Sequence, residues 1–306
     1  MNTDHGSFLV VIAGPTAVGK TTLSIRLARH FSTEIVSADS RQFYREMNIG
    51  TARPDAGQLS EIPHHFIGHL SVKDDYQVAR FEADALDLLG RLFKKHRIVL
   101  LTGGSGLYIG SVCHGLDRMP DRDEAIRRHL RELLEQKGIE ALQDKLKEAD
   151  PLYYGQVDLN NPNRLIRALE VCQSTGIPYS SLRKNKPIKR EFGMIRIGLD
   201  CDRKELYERI DHRVDRMMER GLLEEARQLM PLRHLNALNT VGYKELFDYF
   251  DGKCSLEEAV ENIKKHTRHY AKRQLTWFRK QPEMKWFHPD QEQEIIQYIQ
   301  RQLQKT

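Results

Sequence analysis

The segment Gly14-Pro15-Thr16-Ala17-Val18-Gly19-Lys20-Thr21 constrains this chain more than any other. It has the form GxxxxGK[ST], follows the apolar run Phe8 to Ala13, and precedes a pattern that predicts a helix from about Lys20 to Phe31. A short, nearly continuous apolar run of this kind forms a strand buried on both faces. Glycines allow backbone N–H groups to converge, and the helix start adds its dipole, so the three parts together make a cradle for a di- or triphosphate. Lys20 is placed to neutralise the terminal phosphate, and the Thr21 hydroxyl to ligate Mg²⁺. The motif is silent on which phosphate compound is held.

The next segments extend the pattern. A second strand is expected over Glu34 to Ala38, ending at Asp39, and a helix from about Gln77 to His96, with Val78, Phe81, Ala85, Leu88, Leu89 and Leu92 at helical spacing. A third strand, Arg97 to Thr102, runs into Gly103-Gly104-Ser105-Gly106, which opens another helix. Strands alternating with helices predict a parallel sheet covered on both faces. After about Pro120 the strands stop, and amphipathic helices are expected over Glu124 to Lys137, Ile139 to Ala149 and Asn163 to Ser174. Met194 to Leu199 then reads as a strand rejoining the sheet, and the chain is mostly helical from Arg203. The expected fold class is therefore α/β, a P-loop NTPase-like parallel sheet core with a helical insertion domain and a largely helical C-terminal part. The expected domains are 1–119 with 191–306 for the core, and 120–190 for the insertion.

Composition removes other classes. Hydrophobic residues make up 40% and charged residues 30%, the balance of a globular chain. No apolar run approaches the roughly 20 residues that span a bilayer. Met1 to His5 lack the start of a secretory signal, so a cytoplasmic location is expected. Cys113, Cys172, Cys201 and Cys254 lie far apart, as reduced thiols do, and His64-His65 is assigned to structure rather than metal. The net charge of +5 is unevenly spread: five of the eight residues from Arg183 to Arg190 are basic. From Lys264 to Lys280 there are seven Lys or Arg and no acid, interleaved with His266, His269, Tyr270, Trp277 and Phe278. Such a mixture suits a surface that meets phosphates and stacks on bases, although a solvated helix face has the same composition. For Trp277 and Phe278, helical spacing assigns at least one to the core.

The chemistry at the phosphate is narrowed by one absence. The strand Ile98 to Leu101 ends in Thr102-Gly103-Gly104, without the acid that a hydrolase uses to hold Mg²⁺. Asp39 is the acid that ends a core strand, and ligands sit at the carboxyl ends of such strands. Three roles fit it: holding Mg²⁺ through water, acting as a general base, or capping a turn.

Four blocks in this order and spacing resemble the tRNA dimethylallyltransferase family: GPTAVGKT; SADSRQFYREMNIGTARP, from Ser37 to Pro54; GGSGLY, from Gly103 to Tyr108; and HTRHYAKRQLTWFRK, from His266 to Lys280. Asn163 to Glu170 and Val241 to Glu245 are also similar, so the resemblance covers essentially the whole chain. It implies transfer of a dimethylallyl group from its diphosphate to exocyclic N6 of the adenosine just 3′ of the tRNA anticodon. Asp39 would be the catalytic base, with Lys20 and Thr21 at the leaving group. The diphosphate would lie on Gly14, Pro15, Thr16, Ala17, Val18, Gly19, Lys20 and Thr21, with Arg213 as a further contact or, equally, a surface ion pair. tRNA would meet Asp39, Ser40, Arg41 and Gln42, then Ser105 and Arg127, and Asn163, Arg164, Leu165, Ile166 and Arg167. Further along it would meet Asn239, Thr240, Val241, Gly242, Tyr243 and Lys244; the basic charge pattern adds Lys272 and Arg273. The implied cofactor is Mg²⁺, the partners are tRNA and dimethylallyl diphosphate without a membrane, and a monomer is the default. Two other readings explain part of the chain: a P-loop kinase with the insertion as a lid, and a non-catalytic RNA-binding module switched by nucleotide.

Overall fold

In a computed structural model of the chain, which describes residues 6–184, 186–281 and 283–305, six strands form one parallel sheet. They are β1 (Phe8–Ala13), β2 (Ile35–Ser37), β3 (His64–His65), β4 (Ile98–Gly103), β5 (Gly193–Leu199) and β6 (Lys285–Phe287), in the order β3-β2-β4-β1-β5-β6. β1 is central, with Val10 opposite Leu100 on one side and Ile195 on the other. Its six residues are all buried, and alternate side chains serve opposite faces: Leu9, Val11 and Ala13 enter one core, Phe8, Val10 and Ile12 the other. That explains the unbroken apolar run, since a strand covered on both sides has no solvent face. Apart from Ala13, each of these side chains contributes about 1.5–3 kcal/mol by leaving water.

The helix Lys20–His30 covers one face with Leu23, Leu27 and Ala28, and Glu292–Gln304 packs Ile295, Ile296 and Ile299 into the same core. Val78–Leu92 covers the other face with Phe81, Ala85 and Leu89. Two further helices, Arg203–Glu219 and Leu256–Phe278, give residues to both cores: Ile210 and Val214 from the first, Ala271 and Phe278 from the second. A helix that feeds both cores crosses an end of the sheet, and both of these reach the loop at the carboxyl end of β1, through Arg209 to Val18 and Gln274 to Thr16.

β3 and β6 were not expected from sequence. They are edge strands of two and three residues, too short to show a period of two. The expected helix from Gln77 to His96 is the shorter Val78–Leu92.

The chain divides into two compact units, 1–113 with 190–306, and 114–189. The second begins at His114, earlier than the change of pattern at Pro120. Within it the helical stretch Glu124–Ala149 breaks at Gly138, whose φ of 78° is the left-handed geometry glycine tolerates. Pro162–Thr175 packs against it, starting on Asn161, whose side chain accepts from the Arg164 N–H at 3.2 Å, and stopping at Gly176. Leu130, Leu142, Leu146, Leu165, Ile166 and Leu169 form this unit's own core. All four cysteines are free thiols, and no helix among the described residues is long and apolar enough to cross a membrane. Residues 1–5, where the absence of a leader was read, and Asn185, within the basic stretch from Arg183 to Arg190, lie outside the described residues.

Candidate active site

The loop after β1 turns back through Ala17, at φ 65°, and Gly19, at φ 104°. A non-glycine residue in the left-handed region carries strain, and left-handed residues interleaved with ordinary ones, as here on either side of Val18, turn their N–H groups inward as an anion nest. Lys20 closes the nest from below, its ammonium donating to the Gly14 and Pro15 carbonyls at 3.0 and 2.7 Å. Burial lowers its pKa to about 8, against the pull of the Asp39 carboxylate and with the push of the Arg213 guanidinium. A cation held at such a desolvation cost, beside a second cation, stands ready for an anion. Arg213 is likewise pulled below its usual range by burial, with Asp39 opposing. It is half-buried and makes no salt bridge among the described residues, so the surface ion pair that sequence left open is not formed. Its Nη2 reaches the Thr51 carbonyl at 3.5 Å. Arg209, not singled out from sequence, donates to the Val18 carbonyl at 3.2 Å while pairing with Glu205 at 2.5 Å.

Asp39 follows β2, and its Oδ1 accepts from the Arg41 N–H at 3.1 Å, leaving the rest of the carboxylate for other partners. Beside it the Ser105 hydroxyl accepts from the Ser40 N–H at 3.2 Å and lies 3.2 Å from the Ser40 hydroxyl. The Tyr270 hydroxyl lies within electrostatic reach of this group. Partial desolvation and the nearby Asp39 charge push the Tyr270 pKa up to about 12, so it remains a protonated phenol. The residue as a whole is 37% exposed.

The conspicuous GGSG turn is explained by close approach from three directions. A Cβ on Gly103 would stand 2.5 Å from the Ala38 carbonyl oxygen, one on Gly104 2.3 Å from Gln274 Nε2, and one on Gly106 2.2 Å from Trp277 Nε1. The turn therefore seats both the residue before Asp39 and the last turns of the helix Leu256–Phe278. Gln274, which sequence reasoning missed, is buried there. Its Oε1 accepts from the Thr16 N–H at 2.9 Å and its Nε2 donates to the Gly104 carbonyl at 2.8 Å.

A second convergence explains the block from Asp39 to Ala52. Gln42 Nε2 donates to the Thr51 and Ala52 carbonyls at 3.2 and 3.3 Å, so Gln42 and Arg213 both hold the Thr51 turn. Glu225 accepts from the N–H groups of Asn48, Ile49 and Gly50 at 3.0, 2.8 and 2.9 Å, and from the Tyr243 hydroxyl at 2.7 Å. The Tyr243 ring occupies the place of a side chain on Gly50, where a Cβ would be 2.6 Å away.

Several residues expected to meet tRNA have other work. The Tyr243 side chain is fully buried and Gly242 is buried beside it, so both build the core, while Asn239 and Lys244 are exposed. Thr240 and Val241 are partly buried. Leu165 and Ile166 face the core of the second unit, leaving Asn163 and Arg164 exposed on that segment. Arg127 and Arg167 are held by the fully buried Glu170 at 2.8 and 3.1 Å. The Arg41 guanidinium donates to the carbonyls of Asn236, Ala237 and Asn239 at 2.9, 3.0 and 3.4 Å, so it fixes a loop. Arg190, at the end of the basic stretch, pairs with Glu82 at 2.6 Å. On the helix Leu256–Phe278 the charge divides along its length: Lys264 and Arg268 pair with Asp215 and Asp211, each at 2.8 or 2.7 Å. Lys272 and Arg273 are exposed and make no salt bridge among the described residues. Phe278 is in the core at 1% exposure, and Trp277 is 44% exposed.

The fold and this site define a class: a P-loop protein whose phosphate loop, a carboxylate at a strand end and a basic aromatic helix meet over one end of a parallel sheet. Known proteins narrow the class. Residues 42–281 match the family model described as IPP transferase. A protein from Christiangramia forsetii named tRNA dimethylallyltransferase is 55% identical over 97% of this chain and 99% of its own length. A tRNA isopentenylpyrophosphate transferase from Bacillus halodurans, solved by crystallography, superposes with a TM-score of 0.72 at 38% identity, covering 98% of this chain and 97% of that one. A eukaryotic dimethylallyltransferase whose crystal structures capture it acting on tRNA gives the same TM-score at 29% identity, over 89% of this chain and 69% of that chain. This chain belongs to the tRNA dimethylallyltransferase family.

Proposed function

We propose that this enzyme transfers the dimethylallyl group of dimethylallyl diphosphate to N6 of the adenosine immediately 3′ of a tRNA anticodon, releasing diphosphate, as a cytoplasmic monomer. The observation that carries this reading is the loop after β1, whose Gly14 and Pro15 carbonyls hold the Lys20 ammonium at 3.0 and 2.7 Å, with the Asp39 carboxylate and the half-buried Arg213 guanidinium within electrostatic reach of it. N6 attacks the allylic carbon, the C–O bond to diphosphate breaks with its electron pair leaving on oxygen, and the N6 proton passes to Asp39. The amino lone pair is delocalised into the purine, so a proton acceptor is needed, and such transfer contributes about 10²–10⁴ in rate. Lys20, Arg213 and the loop N–H groups stabilise the charge that grows on the leaving oxygens.

Mg²⁺ fits this donor set. Among the described residues no three His, Cys, Asp or Glu side chains converge on one point, so a protein cage is absent. Mg²⁺ needs little from the protein when substrate phosphates and water complete its shell, and the Thr21 hydroxyl is the ligand the loop offers. When bound, it would supply further neutralisation of the diphosphate.

Radiolabelled dimethylallyl diphosphate, unmodified tRNA, Mg²⁺ and the protein should place label on an adenosine beside the anticodon. ATP turnover with no label in RNA would replace this reading with phosphoryl transfer.

Lys20 sets a pH dependence. In the free enzyme its pKa is about 8, and a bound diphosphate raises it. Affinity for inorganic diphosphate is therefore full below pH 8 and falls above it, approaching about tenfold per pH unit until the bound-state pKa is reached. Calorimetric titrations from pH 7 to 10 should show this fall in the wild type and lose it in Lys20→Met; parallel curves would remove Lys20 from the phosphate site.

Lys272 and Arg273 carry the RNA surface in this reading. Replacing both with Ala should weaken tRNA binding and lower the slope of log K against log salt by about 2. An unchanged slope would take that helix out of the RNA contact.

A further inference from the structure

Gln274 links two parts of the site that the reaction uses separately. Among uncharged side chains only Gln and Asn offer a carbonyl acceptor and an N–H donor on one planar group, and Asn is one methylene shorter. Here both ends are committed: the acceptor to the Thr16 N–H of the phosphate loop at 2.9 Å, the donor to the Gly104 carbonyl at 2.8 Å. The residue is 6% exposed, so each bond is shielded from competing water. Gly104 has no side chain that would displace it.

The same helical turns carry the groups turned toward solvent. Tyr270, Arg273 and Trp277 lie four before, one before and three after Gln274, and Arg273 sits over the Tyr270 ring at 5.9 Å. The first half of the helix is tied down by its ion pairs to Asp211 and Asp215. The last turns are held instead by Phe278, by Ala271 and by the Gln274 amide. What draws the exposed cations toward a polyanion therefore acts on the turns that hold the Thr16 N–H.

We propose that Gln274 is a positioning residue that couples RNA binding on the outer face of this helix to diphosphate binding in the loop after β1. This rests on the tRNA reading of the site given above. Bound RNA holds the last turns seated on the GGSG turn, the Gln274 amide holds Thr16, and the loop is preorganised for the anion. By linkage the effect is reciprocal: diphosphate tightens RNA binding by the same factor.

The test uses the full chain, inorganic diphosphate and an unmodified anticodon stem-loop RNA, with each affinity measured alone and in the presence of the other ligand. In the wild type the RNA should tighten diphosphate binding by at least about fivefold. In Gln274→Met, which keeps length and packing but has no amide, the factor should fall below about twofold, with RNA affinity alone unchanged. Gly104→Ala, which displaces the amide from the other side, should do the same; it gives the answer if Gln274→Met does not fold. A purely structural role would lower the melting temperature and leave the coupling factor intact, which would overturn the proposal. So would stem-loop binding in the wild type without any coupling, a result that leaves the transfer reaction untouched. Failure of the wild type to bind the stem-loop would sink the tRNA reading itself, and this proposal with it.

Discussion

Asp39→Asn should leave tRNA binding within about twofold of wild type while reducing turnover at least about a hundredfold, the ordinary size of a lost general base. The substitution is close to isosteric and keeps an oxygen that can accept from the Arg41 N–H, so the turn after β2 should hold its shape. What it removes is the proposed proton acceptor, together with the negative charge that opposes Lys20 and Arg213. Loss of that charge makes the anion nest more positive, so KM for dimethylallyl diphosphate should stay level or fall as kcat collapses. This split separates the roles that sequence left open. Were Asp39 chiefly a Mg²⁺ ligand, Asp39→Asn would raise the donor KM, and excess Mg²⁺ would restore much of the rate. Single-turnover rates at two Mg²⁺ concentrations distinguish the outcomes, and a mutant within tenfold of wild type at both would remove Asp39 from the base role.

The parts of this molecule that could be read from sequence are those whose physics is local. β1, the loop and the first helix follow one another without interruption, and an all-apolar run has few explanations besides a strand buried on both faces. The position of Asp39 is legible for the same reason: it is the acid that follows a core strand, and strand ends in such sheets are where ligands sit. The second unit's helices announced themselves through proline, asparagine and glycine at their ends. What stayed hidden depends on contacts between distant positions. Gln274 meets Thr16 across 258 residues and Gly104 across 170, and nothing in a glutamine's neighbours marks it as a clamp. The three close approaches at Gly103, Gly104 and Gly106 explain a motif that sequence could only match to relatives.

Burial also decides what a resemblance cannot. A matched segment brings all its residues along, yet on a helix only one face is free. Asn163 and Arg164 are exposed while Leu165 and Ile166 fill a core; Lys244 is exposed while Tyr243 is locked to Glu225. The same holds for charge. Of the cations from Lys264 to Lys280, those whose carboxylate partners lie on neighbouring elements are structural, and that pairing cannot be read along the chain.

Arg213→Met should produce effects of opposite sign on stability and activity. The guanidinium is desolvated, makes no salt bridge among the described residues, and has as its oxygen contact a carbonyl at 3.5 Å. Such a cation weakens the free protein, and exchanging it for a thioether of similar length is expected to be neutral or stabilising. The melting temperature of the free enzyme should therefore hold or rise. In the proposed reaction the same guanidinium would face the developing negative charge of the leaving diphosphate, and losing one such stabiliser typically costs about 10²–10³ in rate. Addition of diphosphate, which raises the melting temperature of the wild type by mass action, should raise that of Arg213→Met much less. A mutant that melts earlier but turns over normally would make Arg213 a structural cation for the Thr51 turn. A mutant that melts no earlier yet loses about two orders of magnitude in kcat/KM would assign its charge to the diphosphate.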